Sequence, residues 1–345
     1  MQMSNIAPVV LLLTVLLLTS SLMLSFNNCN ATASSKTITV PNDFPNIKDA
    51  VGNATAGDTV YVKSGTYMLP EKYDYSLVLG KSISLVGESP QNTIIVTKQI
   101  YTVIFGMSYG IALHDDSLIS GFTITGDYNP LILLGNGKIT NNIINLTSSE
   151  GTAIWALSGN ISSNIISGYD QEAVGIDTWG EDITVSNNII CNFGIGIFVG
   201  SNRLIVLNNT LTNNEIGFFI GDSPVLLWGN NVENSTRYGL RANFGVNVTY
   251  NWWGSNDSKV VGDTISASGY NQTLWGPIIY LPYLNASNPQ AKPVQSMIYS
   301  PTDTSNEVPY YVVAVITAFV IGAVITILFL KRRNTKGFRN KFDLP

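Results

Sequence analysis

Histidine occurs once in this chain, at His114, and cysteine twice, at Cys29 and Cys191. So few soft ligands exclude zinc ribbons, multi-histidine metal centres and a disulfide framework. Charge is scarce too. Only 12% of the 345 residues are charged, with 18 Lys and Arg against 23 Asp and Glu and a net charge of -5. No basic field exists to displace counterions from phosphate, so no nucleic-acid partner is expected. Asparagine is abundant instead, at 36 residues, beside 30 glycines and many Ile and Val. That mixture points to β structure with tight turns, not to a helical enzyme domain.

The two ends carry membrane signals. Val9 to Leu24 is almost wholly apolar, and Ala31-Thr32-Ala33 follows it. This has the layout of a secretory signal peptide spanning 1–33 and cut after Ala33, with an uncleaved anchor as the alternative. Residues 308–330 form an uncharged apolar run, long enough at ~1.5 Å per residue to cross a ~30 Å hydrocarbon core. Tyr310 and Tyr311 stand at its outer edge, and Lys331, Arg332, Arg333, Lys336, Arg339 and Lys341 follow it. The positive-inside rule then predicts a single-pass cell-membrane protein, with residues 34–307 extracellular and a cytoplasmic tail over 331–345. Residues 286–307 are rich in Pro, Ser, Thr and Asn and are expected to form a linker. Between Ser34 and Glu307 there are 12 basic and 22 acidic residues, so the exported part is acidic. It also holds nine glycosylation sequons, at Asn53, Asn145, Asn160, Asn208, Asn234, Asn247, Asn256, Asn271 and Asn285. Cys191, alone after signal cleavage, is read as a packing residue.

A period near 22 residues organises the middle. TNNII, SSNII, SNNII, LNNTL, WGNNV and TYNWW align on Asn142, Asn164, Asn188, Asn209, Asn231 and Asn251, with Gly121 in the same place one turn earlier. Upstream of each asparagine lies a short alternating run, such as GIALH at 110–114 or GIGIF at 194–198. Each unit holds three short strands and cannot bury a core alone. Stacked in parallel at ~4.8 Å, the units can. The expected fold is all-β, a right-handed parallel β-helix over 34–285. The asparagines are expected at the bend between second and third strands. There they would adopt left-handed backbone and form an internal ladder of amides.

This spacing resembles the right-handed β-helix repeats of the pectin-lyase-like superfamily, in particular its NosD-like surface and periplasmic branch. The opening ITVPNDFPNIKDAVGNATAGDTVYVKSGTY (38–67) resembles that family's N-terminal cap, with Phe44 to Val51 as the capping helix. NWWGS (251–255) and PIIYLPYL (277–284) resemble its C-terminal end. The resemblance implies the fold, and implies that the first strand of each coil forms the polysaccharide-facing side.

Catalytic signatures are not visible. The clustered aspartates, GHG histidine and paired Asp and Arg motifs of the superfamily's enzymes have no counterpart, and no catalytic residue is assigned. His114-Asp115-Asp116 reads as a solvated corner. The ligand count does not suggest a copper site, so no metal and no cofactor are expected. The sharper signal is a row. If Ile111, Ile154, Ile176, Ile197, Phe218 and Leu240 point inward, their neighbours Ala112, Trp155, Asp177, Phe198, Phe219 and Arg241 point outward, with Trp179 two residues beyond Asp177. Trp155, Asp177, Trp179, Phe198, Phe219 and Arg241 form a candidate platform for carbohydrate or an envelope protein. The expected function is non-catalytic binding. A surface lyase or hydrolase is the first alternative, and a NosD-like metallocofactor accessory role the second.

Overall fold

The structure, a computed structural model, describes residues 35–69, 77–98, 109–169, 171–221, 225–267 and 277–294. The segments read above as signal peptide, transmembrane run and cytoplasmic tail lie outside the described residues. So do the Asn271 sequon and the linker from residue 295 onward.

The described chain winds into a three-sided parallel β-solenoid. Sheet I has nine strands, from Thr37–Val40 to Val225–Trp228. Sheet II has eight, from Gly65–Met68 to Asn231–Glu233. Sheet III has nine, from Leu77–Leu79 to Ile265–Ala267. The chain visits I, II and III in turn, and every strand pairs in parallel with its equivalent one coil away. Strand periodicity of two then sends alternate side chains inward. Identical positions stack into columns: Ile119, Ile139, Ile161, Val185 and Val206 on sheet I, and Ile124, Ile144, Ile166, Ile190 and Leu211 on sheet II, all fully buried. Stiff, β-branched side chains fill these columns because a pleated rung accepts them without loss of rotamer freedom.

The asparagine ladder runs along the corner between sheets I and II. Asn188 is representative. Its Oδ1 accepts from the Asn164 N–H at 2.9 Å and from Asn164 Nδ2 at 3.0 Å. Its own N–H donates to Asn209 Oδ1 at 2.9 Å, and its Nδ2 donates to the Ile161 carbonyl at 2.9 Å. Each amide thereby satisfies backbone groups that the bend leaves out of the sheets.

Two details differ from expectation. Asn231 is not in the ladder: Asn230 is. Asn209 N–H donates to Asn230 Oδ1, and Asn230 N–H to Asn251 Oδ1, so both intervals are 21 residues. The doubled asparagine misled the alignment by one position, and Asn231 opens the next strand instead. Nor do the ladder asparagines take left-handed backbone. The residue before each one does: Asn141, Ser163, Asn187, Asn208, Gly229 and Tyr250, with φ between 53° and 68°. Gly121, at φ 83°, belongs to this set, and Phe122 holds the ladder position, its N–H donating to Asn142 Oδ1. A second amide contact, unforeseen, sits at the corner between sheets II and III. There Phe193 N–H donates to Asn214 Oδ1, and Asn214 Nδ2 donates to the Ile190 carbonyl.

Both ends of the described solenoid are covered, as open parallel edges require. The N-terminal helix spans Ile47–Asn53 rather than 44–51, because Asn46 caps it by accepting from the Asp49 N–H at 2.8 Å. Its Ile47, Ala50 and Val51 are buried against the core. At the other end Trp253 is buried, and Ile278, Tyr280 and Tyr283 pack on the core.

The expected linker does not begin free of the solenoid. Residues 288–294 run back over sheet II as a strap. Asn288 exchanges hydrogen bonds with Asn231, its N–H donating to Asn231 Oδ1 and its carbonyl accepting from Asn231 Nδ2. Its own Nδ2 donates to Asn208 Oδ1 and to the Gly229 carbonyl. Further along, the Gln290 carbonyl accepts from Asn187 Nδ2, Ala291 is buried, and Val294 N–H donates to Ser163 Oγ.

Removing a ladder amide orphans several buried backbone groups, whereas removing Asn231 releases the Asn288 strap contacts and one bond to the Thr210 hydroxyl. Asn230→Ala is therefore expected to cost about 2–4 kcal/mol and Asn231→Ala less than about 1 kcal/mol in urea unfolding. Equal losses would contradict the ladder as described.

Candidate functional site

Sheet III carries the candidate row. Strand pairing puts Leu133, Trp155, Asp177, Phe198, Phe219 and Arg241 on six successive rungs, each beside the next. Their flanking neighbours Ile132, Ile154, Ile176, Ile197, Phe218 and Leu240 are fully buried, so the row faces outward. Ala112 continues it one rung before Leu133 but is fully buried. Leu133 escaped the sequence reading because LILL at 131–134 lacks visible alternation; its neighbours in register identify it.

Three contacts join the side chains. Trp179, more than half exposed, stacks on Phe198 with centroids 5.6 Å apart and planes 21° apart. Phe198 meets Phe219 edge to face at 5.2 Å. The Arg241 guanidinium lies 4.9 Å from the centre of the Phe219 ring. Planar groups at such spacings hold one another in place through quadrupole and cation–π attraction. The result is a stripe running along the solenoid axis, aromatic at one end and cationic at the other.

Trp155 and Asp177 extend this stripe away from Arg241, and both are half buried. Trp155 Nε1 and Asp177 Oδ1 are shielded from solvent without a protein hydrogen-bond partner among the described residues. Burial pushes the Asp177 carboxyl above its ordinary value of 3.8, and a hydrogen bond from Trp179 offsets part of the rise. A donor and an acceptor atom without protein partners thus lie on adjacent rungs, both shielded from solvent.

The His114-Asp115-Asp116 corner stands apart. Both aspartates are exposed and left-handed, at φ 53° and 59°. Asp115 Oδ2 accepts from the Lys81 N–H, and Asp116 Oδ1 from Asn136 Nδ2. Asp177 is three rungs from Ala112 in register, about 14 Å at the ~4.8 Å strand spacing, so the corner and Asp177 cannot share a proton. Cys191 is not a core residue. It pairs between Ser167 and Thr212 on the outer side of sheet II, half buried, and burial raises its thiol pKa. Among the described residues no three His, Cys, Asp or Glu side chains converge as a metal site. A cleft of about 620 Å³ on sheet II lies between Ile143, Ile165 and Ile189 and the strap residues Lys292, Pro293 and Val294.

Together the fold and the stripe define a parallel β-helix protein with an aromatic–cationic outer row. No family model and no curated protein matches the chain. Among solved structures it is similar to the A-module of the mannuronan C-5 epimerase AlgE4 of Azotobacter vinelandii, at 14% identity over 66% of this chain and 77% of that one, with a TM-score of 0.36.

The raised pKa of Asp177 has a stability consequence. The folded state favours the protonated carboxyl, so the contribution is complete below the unfolded value and is lost as pH rises through the folded one. Thermal melts should show Asp177→Asn more stable than the parent at neutral pH, with the gap closing on acidification towards the ordinary carboxyl value. A gap that is constant with pH would show that Asp177 does not titrate as described.

Proposed function

We propose that this chain is an exported, membrane-anchored β-helix protein that binds carbohydrate in the cell envelope along sheet III, without catalysis. The observation that carries the reading is the continuous stack of Trp179, Phe198, Phe219 and Arg241. Sugar rings present apolar C–H faces and hydroxyl rims. The exposed ring of Trp179 fits such a face. Arg241 adds a guanidinium at one end of an otherwise acidic ectodomain, which favours glycans with acidic substituents there. Anchoring rests on the apolar run at 308–330 and the six cations after it.

A second reading, a polysaccharide-active enzyme, has one observation in its favour: the half-buried carboxyl of Asp177, with its raised pKa, in the same row. An acid–base mechanism needs a second group within reach. Arg241 is three rungs away, about 14 Å.

A glycan panel with the purified chain tests both readings. Trp179→Ala and Phe198→Ala are each expected to weaken retention about tenfold, the equivalent of ~1.4 kcal/mol. Retention unchanged in both variants would remove the platform. Release of reducing or unsaturated ends that Asp177→Asn abolishes would establish the enzyme.

A further inference from the structure

Sheet I ends in an exposed apolar face. Ile205, Leu226, Trp228, Tyr250, Ile279 and Leu281 are each between 38% and 58% exposed. They belong to neighbouring rungs. Ile205 pairs with Leu226, and Leu207 with Trp228. Gly229 N–H donates to the Tyr250 carbonyl, so 246–251 form the following rung. Ile279 N–H donates to the Val246 carbonyl, Val248 N–H to the Ile279 carbonyl and Tyr250 N–H to the Pro282 carbonyl, adding one rung more. A contiguous apolar surface of this kind is normally covered.

Asn247 stands in the middle of that surface. It lies between the buried Val246 and Val248, is itself exposed, and bridges to Ile279. It is also the acceptor of the sequon Asn247-Val248-Thr249. The Thr249 hydroxyl and N–H both donate to Asn247 Oδ1, at 2.9 and 3.1 Å, holding the amide with its oxygen engaged. A second protein copy or a lipid surface laid over the face would bury this amide without a replacement for water. A cover that grows from the amide nitrogen avoids that cost.

We propose that Asn247 carries an N-linked glycan whose sugars lie over the apolar end of sheet I, stacking on Trp228 and Tyr250. The inference rests on the exported reading of the chain. It also makes a contrast with Asn208. There the sequon is occupied by the strap: Asn208 Oδ1 accepts from Asn288 Nδ2, and the Thr210 hydroxyl donates to the Ala291 carbonyl. A glycan on Asn208 and a docked strap exclude one another.

Intact-glycopeptide mass spectrometry of the full chain from its native membranes tests this. Asn247 should be modified in most molecules and Asn208 in few. Glycans at other sequons with Asn247 bare would overturn the inference alone. No glycan at any sequon would overturn it together with the exported reading. Thr249→Val, which removes the sequon and keeps Asn247, supplies a second readout. Acrylamide quenching assigned to Trp228, by difference from the Trp228→Phe chain, should roughly double when the cover is lost. An occupied Asn247 with unchanged Trp228 quenching would refute the covering role.

Discussion

The structure depends on one hydrogen bond repeated along an axis: the amide of a corner asparagine, given to and received from the equivalent residue a coil away. A coil that turns a sharp corner leaves peptide groups pointing into an apolar interior. Water cannot reach them there, and side chains of Ile or Val cannot partner them. The asparagine amide offers two donors and an acceptor in a small planar group. Asn164, Asn188, Asn209 and Asn230 use all of these, towards the neighbouring rungs and their own. The corner is thereby closed, and the three sheets keep register over successive coils.

That register is what makes an outer row possible. Residues some twenty positions apart in the chain become neighbours on the surface, at rung spacing. Trp179, Phe198, Phe219 and Arg241 come from three successive intervals of the sequence and touch only because the rungs stack. The inward columns and the outward stripe are therefore two faces of the same constraint. A slip of one residue in any strand would exchange them.

The strap over sheet II ties residues 288–294 back onto the solenoid. A segment rich in Pro, Ser and Asn reads as a free spacer by composition. Here its first residues find partners at the bend residues Asn208, Gly229, Asn187 and Ser163, whose left-handed geometry turns side chains and carbonyls outward. The same contacts mask the Asn208 sequon, while the Asn247 sequon two rungs further on is left exposed. Apolar exposure on sheet I and polar coverage on sheet II are thus distinguishable surfaces of one solenoid.

Sequence alone determined the three-strand repeat, the inward and outward assignment on sheet III, and five of the ladder asparagines, because period-two and period-22 patterns are local and survive without coordinates. Trp155, Asp177, Trp179, Phe198, Phe219 and Arg241 were legible for the same reason. Packing between coils settled finer, non-local features. It chose Asn230 over Asn231, since a doubled asparagine offers two equivalent registers and only the neighbouring coils distinguish them. It gave left-handed backbone to the residue before each ladder position, a property of the corner and not of asparagine. It docked the strap, and it gathered Ile205, Leu226, Trp228, Tyr250, Ile279 and Leu281 into one face. The strap contacts join residues as far as 131 positions apart, and no local pattern encodes which segment will fold back onto which rung.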